Sequence, residues 1–173
     1  MRETMRDRGK FWTPAPDWIA PLAGEGFAAR RVRGLGQTLV SGDLAAGVAA
    51  LAPGARTIGL WHVAGEDGCA VRVSRDRSLL VTPSPLGLAP GWRDGFAATP
   101  CDDGYAVVEV SGAALPEIVA EAVSADLDAG SPSAAVQFAG IPALVYRIAP
   151  EVARLHVESP LAAYLWTWLR GRR

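Results

Sequence analysis

The sequence predicts an α+β sandwich. Three observations lead there: runs with strand period are bounded by Gly, Pro and Asp-Gly punctuation, two segments carry apolar residues at helical spacing, and the order of elements occurs twice. Each half reads strand, helix, three strands, helix. Strands in hairpin-like succession form antiparallel sheets, which need only one covered face, so the helices gather there.

In chain order, residues 1–24 stand apart as an extended N-terminal arm, because scattered charge is combined with Pro14, Pro16 and Pro21. Phe11, Trp12 and Trp18 in this arm are costly to leave in water, so they pack on their own domain or on another chain, which makes Trp12 and Trp18 candidate interface residues. Residues 25–173 form one α+β domain, with 37–91 and 105–170 as its two halves. A strand at 37–40 leads through Gly42 to Asp43, a favourable N-cap, after which Leu44, Val48 and Leu51 recur at helical spacing until Pro53-Gly54. Strand-like runs follow at 57–63, 69–73 and 78–82, and Ser84-Pro85 opens a short helix or turn.

The second half repeats this order with a strand at 105–110, a helix at 113–124, strands at 134–138, 143–148 and 154–157, and Ser159-Pro160 opening the last helix. The closest echo is local: LLVTPSPL at 79–86 and LHVESPLA at 155–162 each run a strand directly into Ser-Pro. At 100° per residue, Leu115, Ile118, Val119, Ala122 and Val123 share one stripe while Glu117 and Glu121 face away, so that helix lies on a sheet with a wet outer side. In the last helix Leu161, Tyr164, Leu165, Trp168 and Leu169 make the core stripe. Trp166 then falls about 60° beyond its edge, half covered, as a candidate partner anchor.

Composition excludes several functions. Lys+Arg 17 against Asp+Glu 18 gives a formal charge of -1, which argues against nucleic acid or an anionic membrane as partner. The longest apolar run, 44–55, contains Pro53 and Gly54 and falls short of the roughly 20 residues a membrane helix needs. The basic and acidic N-terminus lacks the layout of a secretory signal, so a cytoplasmic location is expected. Cys69 and Cys101 are far apart in sequence and read as small buried hydrophobes. His62 and His156 sit among apolar strand residues without a second ligand at metal-binding spacing. Gly34-Leu35-Gly36 precedes a strand where a dinucleotide loop would follow one, and Asp102-Asp103-Gly104 reads as a polar turn rather than a carboxylate pair. No catalytic, cofactor-binding or metal-binding residue is therefore expected in the chain.

The run Val108-Glu109-Val110-Ser111-Gly112, then Ile118-Val119-Ala120, then Asp126-Leu127, resembles a segment of the folate-binding aminomethyltransferase superfamily. The closing segment, Leu155-His156-Val157-Glu158-Ser159 with Tyr164-Leu165-Trp166 and Trp168-Leu169, resembles the end of gamma subunits of heterotetrameric sarcosine oxidases. The resemblance covers about residues 105–169 well and 37–82 thinly. It implies two ferredoxin-like-related half units with antiparallel sheets and helices packed on one face, as in the N-terminal part of aminomethyltransferases. It also implies a non-catalytic subunit of a complex oxidising sarcosine or a related N-methyl amine, with FAD, FMN, NAD and tetrahydrofolate on other subunits. Where aminomethyltransferases place an acid after the hairpin Gly, Gly140 is followed here by Ile141-Pro142-Ala143-Leu144. That departure disfavours the two other readings, a stand-alone folate-dependent one-carbon protein and a small-molecule sensor of the same fold.

Overall fold

Alternating side chains in the strands and short turns between them produce two six-stranded sheets in the computed structural model, which describes residues 20–65 and 68–172. Trp12, Trp18 and the rest of the expected arm through residue 19 lie outside the described residues. The first part of the chain runs β1 (Leu22–Gly24), β2 (Phe27–Val32), β3 (Gly36–Gly42), α1 (Leu44–Leu51), β4 (Arg56–Ile58), β5 (Cys69–Ser74), β6 (Arg77–Thr82), β7 (Gly91–Arg93) and β8 (Phe96–Pro100). The second runs β9 (Tyr105–Ser111), α2 (Leu115–Ala122), β10 (Ala135–Phe138), β11 (Ile141–Ala149), β12 (Val152–Glu158), a 3-10 turn (Ser159–Leu161) and α3 (Ala162–Arg170).

Sheet A has the order β1-β2-β9-β12-β11-β10 and sheet B the order β4-β5-β6-β3-β8-β7. Neighbouring strands are antiparallel except β4 and β5, which are parallel. In both sheets the strand preceding the helix pairs with the last strand of its set: β9-β12-β11-β10 matches β3-β6-β5-β4. The helices cover the outer faces. Val108, Val110 and Leu155 of sheet A meet Ile118 and Val119 of α2 and Leu165 and Trp166 of α3. Val40, Leu80 and Phe96 of sheet B meet the half-buried Leu44, Val48 and Leu51 of α1. The inner faces meet each other, Val71, Leu79 and Val81 packing with Leu144 and Tyr146. The architecture is thus α+β, with two helices on the outer face of sheet A and one on that of sheet B.

Local chemistry explains the helix starts. Asp43 accepts a hydrogen bond from the Ala46 N–H at 3.0 Å, the capping expected of it. Pro116 stands in the first turn of α2, where an N–H would have no partner. Between β9 and α2 the backbone passes Gly112 at φ 123°, and a Cβ there would lie 2.3 Å from the Gly26 carbonyl. Only glycine lets the β1–β2 hairpin approach so closely.

Three expectations need correction, and one hairpin lies outside them. The strand expected at 57–63 ends at Ile58, because Trp61 adopts φ 62° and turns the chain; Arg147 Nε donates to the Trp61 carbonyl at 3.0 Å and holds it there. Ser84-Pro85 opens no helix, since Pro83, Pro85, Gly87 and Pro90 keep the chain irregular, and Leu86 and Leu88 pack beside α1 instead. Residues 22–24 of the expected arm are an edge strand of sheet A whose Leu22 is buried. The hairpin β7–β8 escaped the sequence reading, although Asp94-Gly95 between Trp92 and Phe96 is a strong two-residue hairpin signal.

Candidate functional site

The inner face of sheet A carries its polar side chains in rows. Strand β12 alternates strictly, Arg154, His156 and Glu158 on one face and Ala153, Leu155 and Val157 on the other. Such a pattern ordinarily marks a half-wet strand, but here Arg154 and His156 are buried because the polar face meets sheet B. Cross-strand pairing places Arg30, Glu109, Arg154 and Tyr146 side by side on four strands. Glu109 accepts from Arg154 Nε at 3.2 Å and Nη2 at 2.5 Å and also pairs with Arg30.

The next row contains His156. Its Nδ1 lies 2.7 Å from Gln37 Oε1, which can only accept, so Nδ1 carries the proton; Nε2, 2.9 Å from the Tyr146 hydroxyl, then accepts from it. Gln37 Nε2 in turn donates to the carbonyls of Asp102 and Tyr105 at 3.0 and 3.1 Å, and the Gln37 N–H donates to Asp102 Oδ1 at 2.6 Å. A chain of hydrogen bonds therefore runs from the Asp102 turn through Gln37 of sheet B to His156 and Tyr146 of sheet A. Asp102-Asp103-Gly104 is a turn, with the Asp103 carbonyl accepting from Ser159 Oγ at 2.6 Å.

This network is built to hold, not to transfer protons. Burial, with the Arg154 charge second, pushes the His156 imidazole down to about 3, so it stays neutral with both nitrogens engaged. Burial pushes the Cys69 thiol up to about 11, away from thiolate chemistry, and raises Tyr146. His62 is exposed and its Nδ1 accepts from the Gly59 N–H at 3.2 Å, closing a local turn. Among the described residues no group of three or more His, Cys, Asp or Glu side chains is placed to hold a metal ion.

Beyond the network the two sheets part, leaving a cleft of about 420 Å³. His156 and Leu144 form its floor and Val73 of β5 one wall. At its mouth Tyr105 of β9 and Glu158 of β12 are direct cross-strand partners, and Gln137 of β10 pairs with Pro142 of β11 on the same side. Burial first, and then Cys101 and Glu158, raise the Tyr105 phenol, so it remains neutral. None of these three residues is an expected site residue; the usable signal is the alternation that puts Glu158 in phase with His156 and Arg154.

The expected interface residue Trp166 lies elsewhere. It is 1% exposed, in the core beneath α3. The buried face of α3 is Ala162, Leu165, Trp166 and Leu169, so the stripe is rotated from the one expected. Tyr164 and Trp168 are amphipathic and sit at the edges: Tyr164 is exposed and donates to the Ala139 carbonyl at 2.8 Å, while Trp168 meets the Phe138 ring edge-on at 5.6 Å. By contrast Trp92, on the short edge strand β7, is 72% exposed.

No family model matches the sequence, and no curated protein does. Among solved structures, the chain is similar to a chain of the heterotetrameric sarcosine oxidase from Corynebacterium sp. U-96 in complex with pyrrole 2-carboxylate. The two superpose with a TM-score of 0.66 at 21% identity, over 90% of this chain and 88% of the other. This chain and that one share their fold over most of both lengths. No helix among the described residues is long and apolar enough to cross a membrane.

Proposed function

We propose that the chain is a gamma-type, non-catalytic subunit of a cytoplasmic multi-subunit amine oxidoreductase, acting on sarcosine or a related N-methyl amine and stabilising the assembly. The observation that carries this reading is the co-extensive match: the similar chain belongs to a heterotetrameric complex, and the likeness covers most of both chains. The buried network adds support, because its titratable groups are neutral or paired with one another and so serve the joint between the sheets. In this reading FAD, FMN, NAD and tetrahydrofolate belong to the partner subunits. Trp92 replaces Trp166 as the described aromatic best placed to anchor a partner, since a large exposed apolar side chain on an edge hairpin gains most from being covered.

Co-expression with flavin- and folate-domain subunits encoded beside its gene tests the reading. The expected result is a stoichiometric complex through size exclusion at micromolar concentration, with an interface above about 2,000 Å². Separate elution of all species overturns it, as does a stoichiometric flavin spectrum in the isolated chain.

A further inference from the structure

We propose that the cleft between the sheets binds a small organic cation with an apolar body, its ammonium group held by the Glu158 carboxylate and the face of Tyr105. The inner face of sheet A divides sharply. Deep in it, Arg154 pairs with Glu109, and His156 is bonded to Tyr146 and to Gln37 of sheet B. At the cleft, the Glu158 carboxylate, the Tyr105 hydroxyl and the Gln137 amide have no hydrogen-bond or ion-pair partner among the described residues, yet all three border a single concavity. Uncommitted polar groups around a mostly apolar hollow are the arrangement of a small-molecule site, and about 420 Å³ falls within the usual range for one.

The sign of the ligand's charge follows from the lining. Among the described residues, Glu158 is the one charged side chain bordering the cleft. Arg31 and Arg33 lie in the adjoining pocket on the other side of Tyr105, where Asp102 and Asp103 balance them two against two. Tyr105 and Glu158 stand opposite each other on paired strands, roughly 5 Å apart, so one ammonium reaches both the carboxylate and the electron-rich ring face. Gln137 lies two strands further along, roughly 10 Å from Glu158, and its amide fits a hydrogen-bonding group at the far end. The body between would rest on Leu144, facing Val73. The inference goes beyond the subunit reading and does not rest on it.

Tyramine is a suitable probe, carrying an ammonium group, an aromatic body and a distal hydroxyl; tyrosol is its neutral counterpart and 4-hydroxyphenylacetate the anionic one. Titrated into the full chain, tyramine is expected to give saturable NMR shifts at the backbone amides of Val73, Leu144 and His156, with tyrosol weaker and 4-hydroxyphenylacetate not binding. Glu158→Gln should weaken tyramine at least about tenfold and leave tyrosol unchanged. Tyr105→Phe should retain binding, because the ring face is kept, while Tyr105→Leu loses it. Thermal melts establish that each variant is folded; should Tyr105→Leu fail to fold, Glu158→Gln still decides. Absence of saturation up to about 10 mM, equal binding of the anion, or wild-type affinity in Glu158→Gln overturns the proposal. Because assembly is read by size exclusion, failure here is distinguishable from failure of the subunit reading.

Discussion

Two Ser-Pro junctions end the two halves of the molecule, and they lead to different structures. After β6, Ser84-Pro85-Leu86 continues into Gly87 and Pro90 and remains a loop; after β12, Ser159-Pro160-Leu161 continues into Ala162 and Ala163 and becomes a 3-10 turn and then α3. Proline presets the first residue of a helix but cannot supply the following turn, which needs residues that lose little on becoming helical. The consequence reaches the core. Sheet A is roofed by two helices that bury Trp166, Leu165 and Leu169, whereas sheet B has only α1, whose one fully buried residue is Gly47. One strand order thus supports a thick half and a thin half.

The largest test removes the centre of the thick half. Trp166→Ala should cost about 3–5 kcal/mol of folding stability, since a fully buried indole leaves a cavity that packed strands cannot close. Trp168→Ala should cost less, about 1–2 kcal/mol, losing its edge contact with Phe138 and the Arg172 guanidinium 4.1 Å above its ring. Denaturant melts of the two variants order them. A larger loss for Trp168→Ala than for Trp166→Ala would mean that α3 presents the face with Trp168 in the core stripe and Trp166 at its edge.

The seam joining the halves comes next. Tyr146→Phe deletes the donor to His156 Nε2 and should cost about 1–3 kcal/mol, the penalty of a buried acceptor left without a partner. The same histidine gives the seam a pH signature. Its folded-state value, about 3, lies below the ordinary 6.5, so on acidification the unfolded chain takes up the proton first. Its contribution is complete above 6.5 and falls by roughly 1.4 kcal/mol per pH unit from there toward about 3. Urea melts of wild type and His156→Leu between about pH 7 and 4 isolate this slope by difference. A pH dependence equally steep in both proteins would assign acid sensitivity to the carboxylates instead.

How far sequence anticipates structure also differs between the halves. In the second, Leu115, Ile118, Val119, Ala122 and Val123 made one stripe because no competing face existed, and all five are buried. In α3 two overlapping stripes were available, and hydrophobicity alone favoured the one containing Tyr164 and Trp168; the Tyr164 hydroxyl, which wants an edge, carried the contrary information. In the first half the expected strand at 57–63 failed because a left-handed Trp61 depends on Arg147, a residue 86 positions away, which no local pattern reports. The seam was half legible: the alternation of β12 was plain, but nothing in it says that a polar face will meet a second sheet.

The thin half has its own close approach. A Cβ on Gly47 would lie 2.5 Å from Val40 Cγ1 and 3.2 Å from the Phe96 ring, so α1 rests directly on sheet B through its backbone. Alanine improves helix propensity by about 1 kcal/mol at most, while the overpacking costs about 1–3 kcal/mol, so Gly47→Ala should lower stability on balance. A rise in melting temperature would show that α1 can lift off its sheet, and that the thin half is loosely built.

The smallest effect on folding is expected at Trp92, where the thin half meets solvent. Its side chain is 72% exposed, so little is lost from the folded state on truncation. Trp92→Ala should change stability by no more than about 0.5 kcal/mol. In the co-expressed complex the same variant should weaken association by about 2 kcal/mol or more, because a tryptophan covered by a partner loses most of its apolar exposure. The opposed readouts separate a docking anchor from a structural residue: melts of the isolated chain report one and dissociation on dilution reports the other. A folding loss as large as that of Trp168→Ala would place Trp92 in the fold's own packing, and an undiminished complex would move the interface away from the β7–β8 hairpin.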